Sequence, residues 1–302
     1  MRRLSLLAIP VLTVLLSGCG SLKIITEIGT SVAVATGTMT TEQAQSINKS
    51  VESVSKSFEE LTPENEYYIG RSVSSLVLSR YKPYDNSRVN SYLNLLGQSL
   101  AKFSDQPDTF GGYHFLALDT EEVNAFAAPG GFILVSRGLL RCCKNEDALA
   151  AVLAHEIGHI QNKHGLKAIK TSRWTSTMTV LAAESVKSFA GQELAQLTET
   201  FEGSLDDIMQ TMVNSGYSRK SETQADISAV EIMKRAGYNP DGLRQMLLEM
   251  DGRMKPTEAG FAKTHPDPKT RINDVENLLR DCAQVVVIKP RQARFEKNLD
   301  GI

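Results

Sequence analysis

The first part of the chain shows helical spacing in three stretches. Apolar residues recur three and four positions apart over residues 41–61, as on one face of an amphipathic helix. A second helical pattern follows Thr62, whose side chain suits an N-cap, and has Pro63 at its first position. A third, "DNSRVNSYLNLLGQSLAKF", offers Asp85 or Asn86 as its N-cap. We therefore predict three helices in this part of the chain.

The spacing then changes from helical to that of short strands. "YHFLALD" and "VNAFAAP" predict two strands, and "GFILVSRGLL" predicts a third after the turn at residues 129–131. From Asn145 onward nearly every pattern is helical, with Asn145 as the cap of the first helix. Residues 170–215 fit either a helical insertion or a mobile lid. The order of elements predicts an α+β protein that is mainly helical.

The N-terminus has the pattern of an export signal. Two arginines precede an apolar run at residues 4–16, which is too short to span a bilayer but suits a signal-peptide core. The following "LSGC" resembles a bacterial lipobox, in which Cys19 becomes the lipid-bearing first residue. The alternative is an ordinary secretory signal that contains a cysteine. Gly20 in place of aspartate favours, by the same resemblance, a lipid anchor at the outer membrane, facing the periplasm.

Composition excludes one class of partner and bears on whether the cysteines form a disulfide. The chain has 302 residues, with 33 basic and 35 acidic ones, and no basic block that indicates nucleic acid. No later stretch reaches 18 apolar residues, so the lipid is the expected membrane anchor. In an oxidising compartment Cys142 or Cys143 can pair with Cys282, although three free thiols are equally compatible with the sequence.

The chemistry centres on "HEIGH" at residues 155–159. Residues four apart on a helix differ by about 40°, so His155 and His159 lie on one face and can bind one metal ion. Glu156 lies beside that face, where a carboxylate can accept a proton from water. Two exposed histidines are the alternative, but the surrounding apolar residues predict a buried helix, in which unpartnered imidazoles cost about 1–3 kcal/mol each.

A catalytic zinc site needs a third protein ligand. His164 follows His155 by about 900° of helix rotation, so a continuous helix places it on the opposite side, and we predict a helix-capping role for it instead. Glu222 and Asp226 are four apart in a later helical pattern, so one carboxylate can bind zinc while the other accepts the N–H of a zinc-bound imidazole. Two solvated acids on an exposed helix remain the alternative.

Together these residues resemble a known family. "HEIGH", "SETQAD", "VNAFAAPGGFILVSRGLL" and "THPDPKTRI" are similar to HtpX and CAAX-prenyl-protease-type gluzincin metallopeptidases over roughly residues 60–280, and most to their periplasmic lipoprotein branch. The resemblance implies a zincin-like domain, with a small mixed sheet beside the active-site helix, and one Zn²⁺ per chain. It makes Glu222 the third ligand and Asp226 the partner of a ligand histidine.

The implied organisation has four parts. We predict a lipoprotein signal peptide at residues 1–18, a lipidated tether and amphipathic helix at 19–60, a zinc metallopeptidase domain at 61–285, and a C-terminal tail at 286–302.

The implied activity is that of a zinc metalloendopeptidase that removes unfolded or misassembled envelope proteins. Glu156 acts as the general base. The strand "GFILV", with Phe132, Ile133 and Leu134, binds substrate as an added strand if it lies at a sheet edge. Asn124 grips the substrate backbone by its motif position, although an ordinary strand asparagine is an open alternative.

The resemblance also places the loop with His265 and Arg271 beside the zinc. His265 then either stabilises the oxyanion together with Arg271 or occupies the open zinc position and keeps the enzyme latent. We favour a dual role, as fourth ligand at rest and oxyanion donor when the loop moves aside.

Two other classes fit the same residues: a chaperone-like protein and a scaffold lipoprotein, each with a zinc that does no chemistry. Glu156 argues against both, because a structural zinc site needs no base. The expected partners are polypeptide substrates, with the outer-membrane assembly machinery as a further candidate.

Overall fold

A computed structural model describes residues 34, 40, 41, 45, 62–169, 202–203, 205–253, 264–265, 268–280 and 288–302. The chain divides into two units, Met1–Glu60 and Leu61–Ile302, and every contact discussed below lies within the second. The predicted signal peptide, Cys19, Cys282, most of the helix at 41–61 and most of the insertion at 170–215 lie outside the described residues. Among the described residues, no helix combines the length and apolar character needed to cross a bilayer.

Two capped helices open the second unit. Helix α1, Pro63–Arg80, begins after Thr62, whose Oγ1 accepts a hydrogen bond from the backbone N–H of Asn65. Helix α2, Ser87–Ala101, begins after Asn86, whose Oδ1 accepts from the N–H of Val89. Of the two predicted caps for α2, the structure therefore selects Asn86.

A mixed three-stranded sheet follows. Its strands are β1, His114–Leu118; β2, Ala125–Ala128; and β3, Phe132–Ser136. The order is β1-β3-β2, with β1 parallel and β2 antiparallel to β3. A short 3-10 turn links β2 to β3, and Gly130 and Gly131 adopt there the positive φ angles of 73° and 105° that glycine tolerates best. The predicted small mixed sheet is confirmed.

The position of β3 corrects one expectation. A strand can accept a substrate strand only along an edge with unpaired backbone groups. β3 instead lies between β1 and β2 and pairs with both of them. Phe132, Ile133 and Leu134 therefore lack the edge position on which their substrate-binding role depended.

The rest of the described chain is helical, as predicted. Its helices are α3, Arg137–Cys142; α4, Glu146–Gln161; α5, His164–Lys167; a π-helical turn, Gln210–Ser215; α6, Arg219–Ala236; α7, Asp241–Arg253; α8, Pro268–Leu279; and α9, Lys289–Leu299. Asn145 caps α4 as expected, because its Oδ1 accepts from the N–H of Ala148. Helix α3 buries Cys142 and Cys143 at its end; pairing of either with Cys282 stays a prediction.

Helix α4 lies at the centre of the core and packs against α2, α6 and α7. Its residues Leu149, Leu153 and Ile157 have no solvent exposure. Gly158 permits the close approach of α6, because a Cβ there would lie 2.9 Å from the carbonyl oxygen of Ala225. This contact brings "HEIGH" on α4 against the acidic residues of α6.

The segment predicted as a C-terminal tail contains α9. Phe295 on this helix is buried in the core, and Arg294 pairs with Glu146 at the start of α4. The hydroxyls of Tyr92 and Tyr238 also donate to Glu146, at 2.8 and 3.0 Å. The end of the chain is thus tied to the first turn of α4.

Candidate metal centre

Helices α4 and α6 bring the predicted metal ligands together. The Nε2 atoms of His155 and His159, one turn apart on α4, are separated by 3.1 Å. The carboxylate oxygens of Glu222 lie 3.5 Å from Nε2 of His155 and 3.4 Å from Nε2 of His159. Nδ1 of His265 completes the group, at 3.4 Å from His155 Nε2 and 3.2 Å from Glu222 Oε1. All four side chains are buried.

These separations fit tetrahedral zinc. Ligand atoms about 2.0–2.1 Å from a tetrahedral zinc ion lie roughly 3.3–3.4 Å from one another. The distances above fall between 3.1 and 3.5 Å, and all four ligand atoms lie within 4.8 Å of one another. Two imidazoles and a carboxylate are also a donor set of catalytic zinc sites. His155, His159 and Glu222 therefore fit one zinc ion, and His265 is placed as a fourth donor.

Glu156 lies beside this group and outside it. Its side chain is completely buried, and neither carboxylate oxygen has a hydrogen-bond partner among the described atoms. Nε2 of His265 is 3.8 Å from Oε1. Burial raises the pKa of this carboxyl above its ordinary value. Leaving a buried carboxyl without hydrogen bonds is costly, which indicates a group kept for chemistry rather than for stability.

Asp226 and Arg271 contact the grouped residues His155 and Glu222. Oδ1 of Asp226 lies 2.9 Å from Nδ1 of His155, the nitrogen that faces away from the other ligands. Arg271, on α8, donates to both oxygens of Asp226, at 2.9 and 2.6 Å. Its Nη1 lies 3.0 Å from Glu222 Oε2. Asp226 therefore lies where it was predicted to act, whereas Arg271 is engaged with two carboxylates.

The charges of this group keep both acids ionised. Burial alone raises the pKa of Asp226, but Arg271 and the hydrogen bond with His155 outweigh it and hold this pKa at about 2. Burial also acts against ionisation of Glu222, where His265 and Arg271 hold the pKa well below its usual range. The site therefore presents an anionic ligand and an anionic partner of His155 at neutral pH.

Asn124, predicted to bind substrate, is buried and directly precedes β2. Its Oδ1 accepts hydrogen bonds from the N–H of Ala125 at 2.9 Å and from the hydroxyl of Thr264 at 3.0 Å. The carbonyl oxygen of Thr264 accepts in turn from the N–H of Tyr217. In this arrangement Asn124 holds the residue that precedes His265.

Sequence reasoning missed the surroundings of His159. Nδ1 of His164 lies 3.0 Å from Nδ1 of His159, and Nε2 of His164 lies 3.1 Å from Oε1 of Gln224. The ring of Tyr217 stacks on that of His159, with centroids 4.2 Å apart. His164 lies outside the four grouped residues. No spacing pattern in the sequence pointed to Gln224 or Tyr217.

The predicted capping role of His164 is wrong for a local reason. Helix α4 ends at Gln161 with Asn162 as its C-cap. Lys163 then adopts a left-handed conformation, with φ 55° and ψ 35°, and the new helix α5 begins at His164. The rotation argument assumed a continuous helix, and the break at Lys163 turns His164 back towards His159.

Comparison with known proteins matches this region to one family. The sequence profile of "Peptidase family M48" matches residues 87–279, a range that includes all four grouped ligands. The beta-barrel assembly-enhancing protease of Escherichia coli (strain K12) is 27% identical over 205 residues, which cover 66% of this chain and 40% of that protein. The mitochondrial metalloendopeptidase OMA1 of Schizosaccharomyces pombe is 37% identical over 166 residues, covering 53% of this chain and 44% of that protein.

Metalloprotease LoiP of Escherichia coli (strain K12) is 25% identical over 192 residues, which cover 64% of this chain and 69% of that protein. The chain thus spans less than half the length of the first two relatives.

Proposed function

The chain belongs to peptidase family M48, and from that membership we propose that it is a zinc-dependent endopeptidase of the bacterial cell envelope. The metallopeptidase resemblance of the sequence is thereby confirmed. The single observation that carries the proposed activity is the pairing of a zinc-fitting ligand set with Glu156, a buried carboxylate without a hydrogen-bond partner among the described atoms.

The catalytic work falls to the protein's own groups. When bound, zinc would act as a Lewis acid: it would polarise a peptide carbonyl and lower the pKa of water to about 7. Glu156 takes the proton from the attacking water and delivers it to the leaving amide nitrogen. Asp226 keeps the Nδ1 proton of His155 in place, so that Nε2 faces the metal.

Arg271 receives a positioning role in place of the expected oxyanion donor. Its guanidinium contacts both Asp226, the acceptor for His155, and Glu222, a proposed ligand. A buried cation between two buried carboxylates offsets their desolvation and fixes their orientation.

His265 is proposed to keep the resting enzyme latent. A catalytic zinc site has three protein ligands and keeps a fourth position open for water or substrate. Nδ1 of His265 lies with the three other donor atoms and would take that fourth position. When His265 leaves, the site opens, and the freed imidazole becomes available to donate to the oxyanion. The hold of Asn124 on Thr264 supports this resting arrangement.

The proposed substrates are unfolded or misassembled envelope proteins. Latency suits an enzyme of broad specificity, because constant activity would endanger partly folded neighbours. One of the Escherichia coli relatives, the beta-barrel assembly-enhancing protease, is named for enhancing β-barrel assembly. That name supports the outer-membrane assembly machinery as a proposed partner. The lipobox supports a lipid anchor at Cys19, at the periplasmic face of the outer membrane.

One observation favours a second candidate, a chaperone-like or scaffold lipoprotein. Four protein donors with no open position are typical of structural zinc sites, and His265 gives this site four. Glu156 is unexplained in that alternative, because a structural zinc ion needs no neighbouring base.

Casein cleavage by the purified full chain separates the two functions. The peptidase proposal predicts cleavage that a chelator abolishes and that zinc restores at one ion per chain. A protein that binds one zinc ion yet cleaves neither casein nor any unfolded envelope protein, even after His265→Ala, would be the scaffold.

A further inference from the structure

The two ligand histidines differ in what holds them. Nδ1 of His155 contacts the carboxylate of Asp226, as is expected for a zinc-bound imidazole. Among the described residues no carboxylate contacts Nδ1 of His159, which instead lies 3.0 Å from Nδ1 of His164. His164 is the only histidine of the ligand-bearing region that the proposed chemistry leaves without a role, although it is 3% exposed and central to the site.

We propose, resting on the function proposed above, that His164 and Gln224 position the zinc ligand His159 through a relay of two hydrogen bonds. A ligand bound through Nε2 carries its proton on Nδ1 and must donate it. His164 Nδ1 is the atom within reach, so it accepts and carries no proton. The proton of a neutral His164 then sits on Nε2, 3.1 Å from Oε1 of Gln224, an amide oxygen that only accepts.

This assignment leaves each ring N–H with an acceptor. The reverse assignment fails, because a proton on His164 Nδ1 would face the proton of His159 Nδ1 across 3.0 Å. Gln224 therefore selects the tautomer of His164, and His164 selects that of His159. Gln224 stands on α6 between Glu222 and Asp226, so one helix supplies a ligand and the supports of both histidines.

Local packing fixes the relay in position. Lys163, in its left-handed conformation, pairs with the buried Glu66 of α1 and anchors the break between α4 and α5. The ring of Tyr217 covers both imidazoles, with centroids 4.2 Å from His159 and 6.0 Å from His164. His164 is thus held by its backbone and by its neighbours in the orientation that the relay requires.

Zinc affinity of the purified full chain tests the relay. His164→Phe keeps an aromatic ring but removes the acceptor, and His164→Asn keeps an acceptor oxygen near the position of Nδ1. Loss of such a supporting partner lowers metal affinity about 10–100-fold. We expect this loss in His164→Phe, a smaller one in Gln224→Leu, and near-wild-type affinity in His164→Asn, each measured by competition with a chelator. His114→Asn, which changes an exposed histidine outside the site, is the matched control.

Melting temperatures of the metal-free variants separate positioning from packing. The relay predicts similar metal-free stability for His164→Phe and His164→Asn, together with different zinc affinities. Equal zinc affinity in all three relay variants and wild type would overturn the relay, and so would an equal loss in His164→Phe and His164→Asn. If wild type itself bound no stoichiometric zinc, or if His155→Ala left binding intact, the proposed function would fail instead.

Discussion

At the residue scale, each of the three proposed ligands His155, His159 and Glu222 has a neighbour that contacts and orients it. Asp226 holds His155, Arg271 spans Glu222 and Asp226, and His164 meets His159. Spacing alone predicted the ligands on α4 and the acidic pair on α6, because each pair lies one helical turn apart within a single helix. His164 escaped this reasoning, since its position depends on a left-handed residue that no periodicity reveals.

Thr264→Val tests the hold on His265. Valine preserves the shape of threonine but removes the hydroxyl that donates to Asn124 Oδ1. Losing one such hydrogen bond costs about 1 kcal/mol, which raises the population of an open site about fivefold. We expect the resting rate of casein cleavage to rise by a similar factor with zinc content unchanged.

Thr270→Val, a change of the same kind on α8, serves as the control and should leave the rate unchanged. A Thr264→Val enzyme that is no faster than wild type would argue against latency through His265.

At the element scale, the site depends on how closely α4 and α6 pack. Sequence patterns predicted both helices, the caps of α1 and α4, and three strands. They did not predict that β3 lies in the middle of the sheet, because the parallel pairing of β1 with β3 joins segments that are distant in the sequence. Strand order depends on such long-range pairing, which local periodicity does not predict.

Gly158→Ala tests the helix contact. Alanine ordinarily stabilises a helix interior by about 0.5–1 kcal/mol relative to glycine. At position 158 the new Cβ would lie 2.9 Å from a backbone oxygen of α6, so the helices must separate. We expect a loss of about 1–3 kcal/mol in the free energy of unfolding and weaker zinc binding.

Gly252→Ala is the matched control, because a Cβ there meets nothing within 4 Å and α7 should be unchanged or slightly more stable. The measurements are urea unfolding and chelator competition on both variants. Equal behaviour of the two alanine variants would show that α4 and α6 do not need this close approach.

At the scale of the whole molecule, the described residues form a zinc-fitting centre whose core helix, α4, is tied to α2 and to the last helix, α9. Glu146 at the start of α4 meets Tyr92 of α2 and Arg294 of α9. The family was evident from a few motifs, whereas the packed helix within the predicted tail was not, since α9 is largely polar apart from Phe295. The domain boundaries themselves remain predictions.

Cys19→Ala tests the anchoring of the whole protein. A lipid on Cys19 is the only anchor we propose, so its loss should move the protein from the membrane pellet to the soluble periplasmic fraction. Fractionation of cells that produce each form measures the change, with a salt wash to remove peripheral binding. Retention of the variant in the washed pellet would point to another anchor.

The most direct test of the central claim compares zinc content with casein cleavage in Glu156→Gln. The amide keeps the shape of the side chain but cannot take a proton from water. We predict one zinc ion per chain, as in wild type, with cleavage lowered roughly 100–10,000-fold. Glu231→Gln, an exposed change on α6, should retain both properties. Wild-type cleavage by Glu156→Gln with zinc bound would contradict the assignment of this carboxylate as the general base.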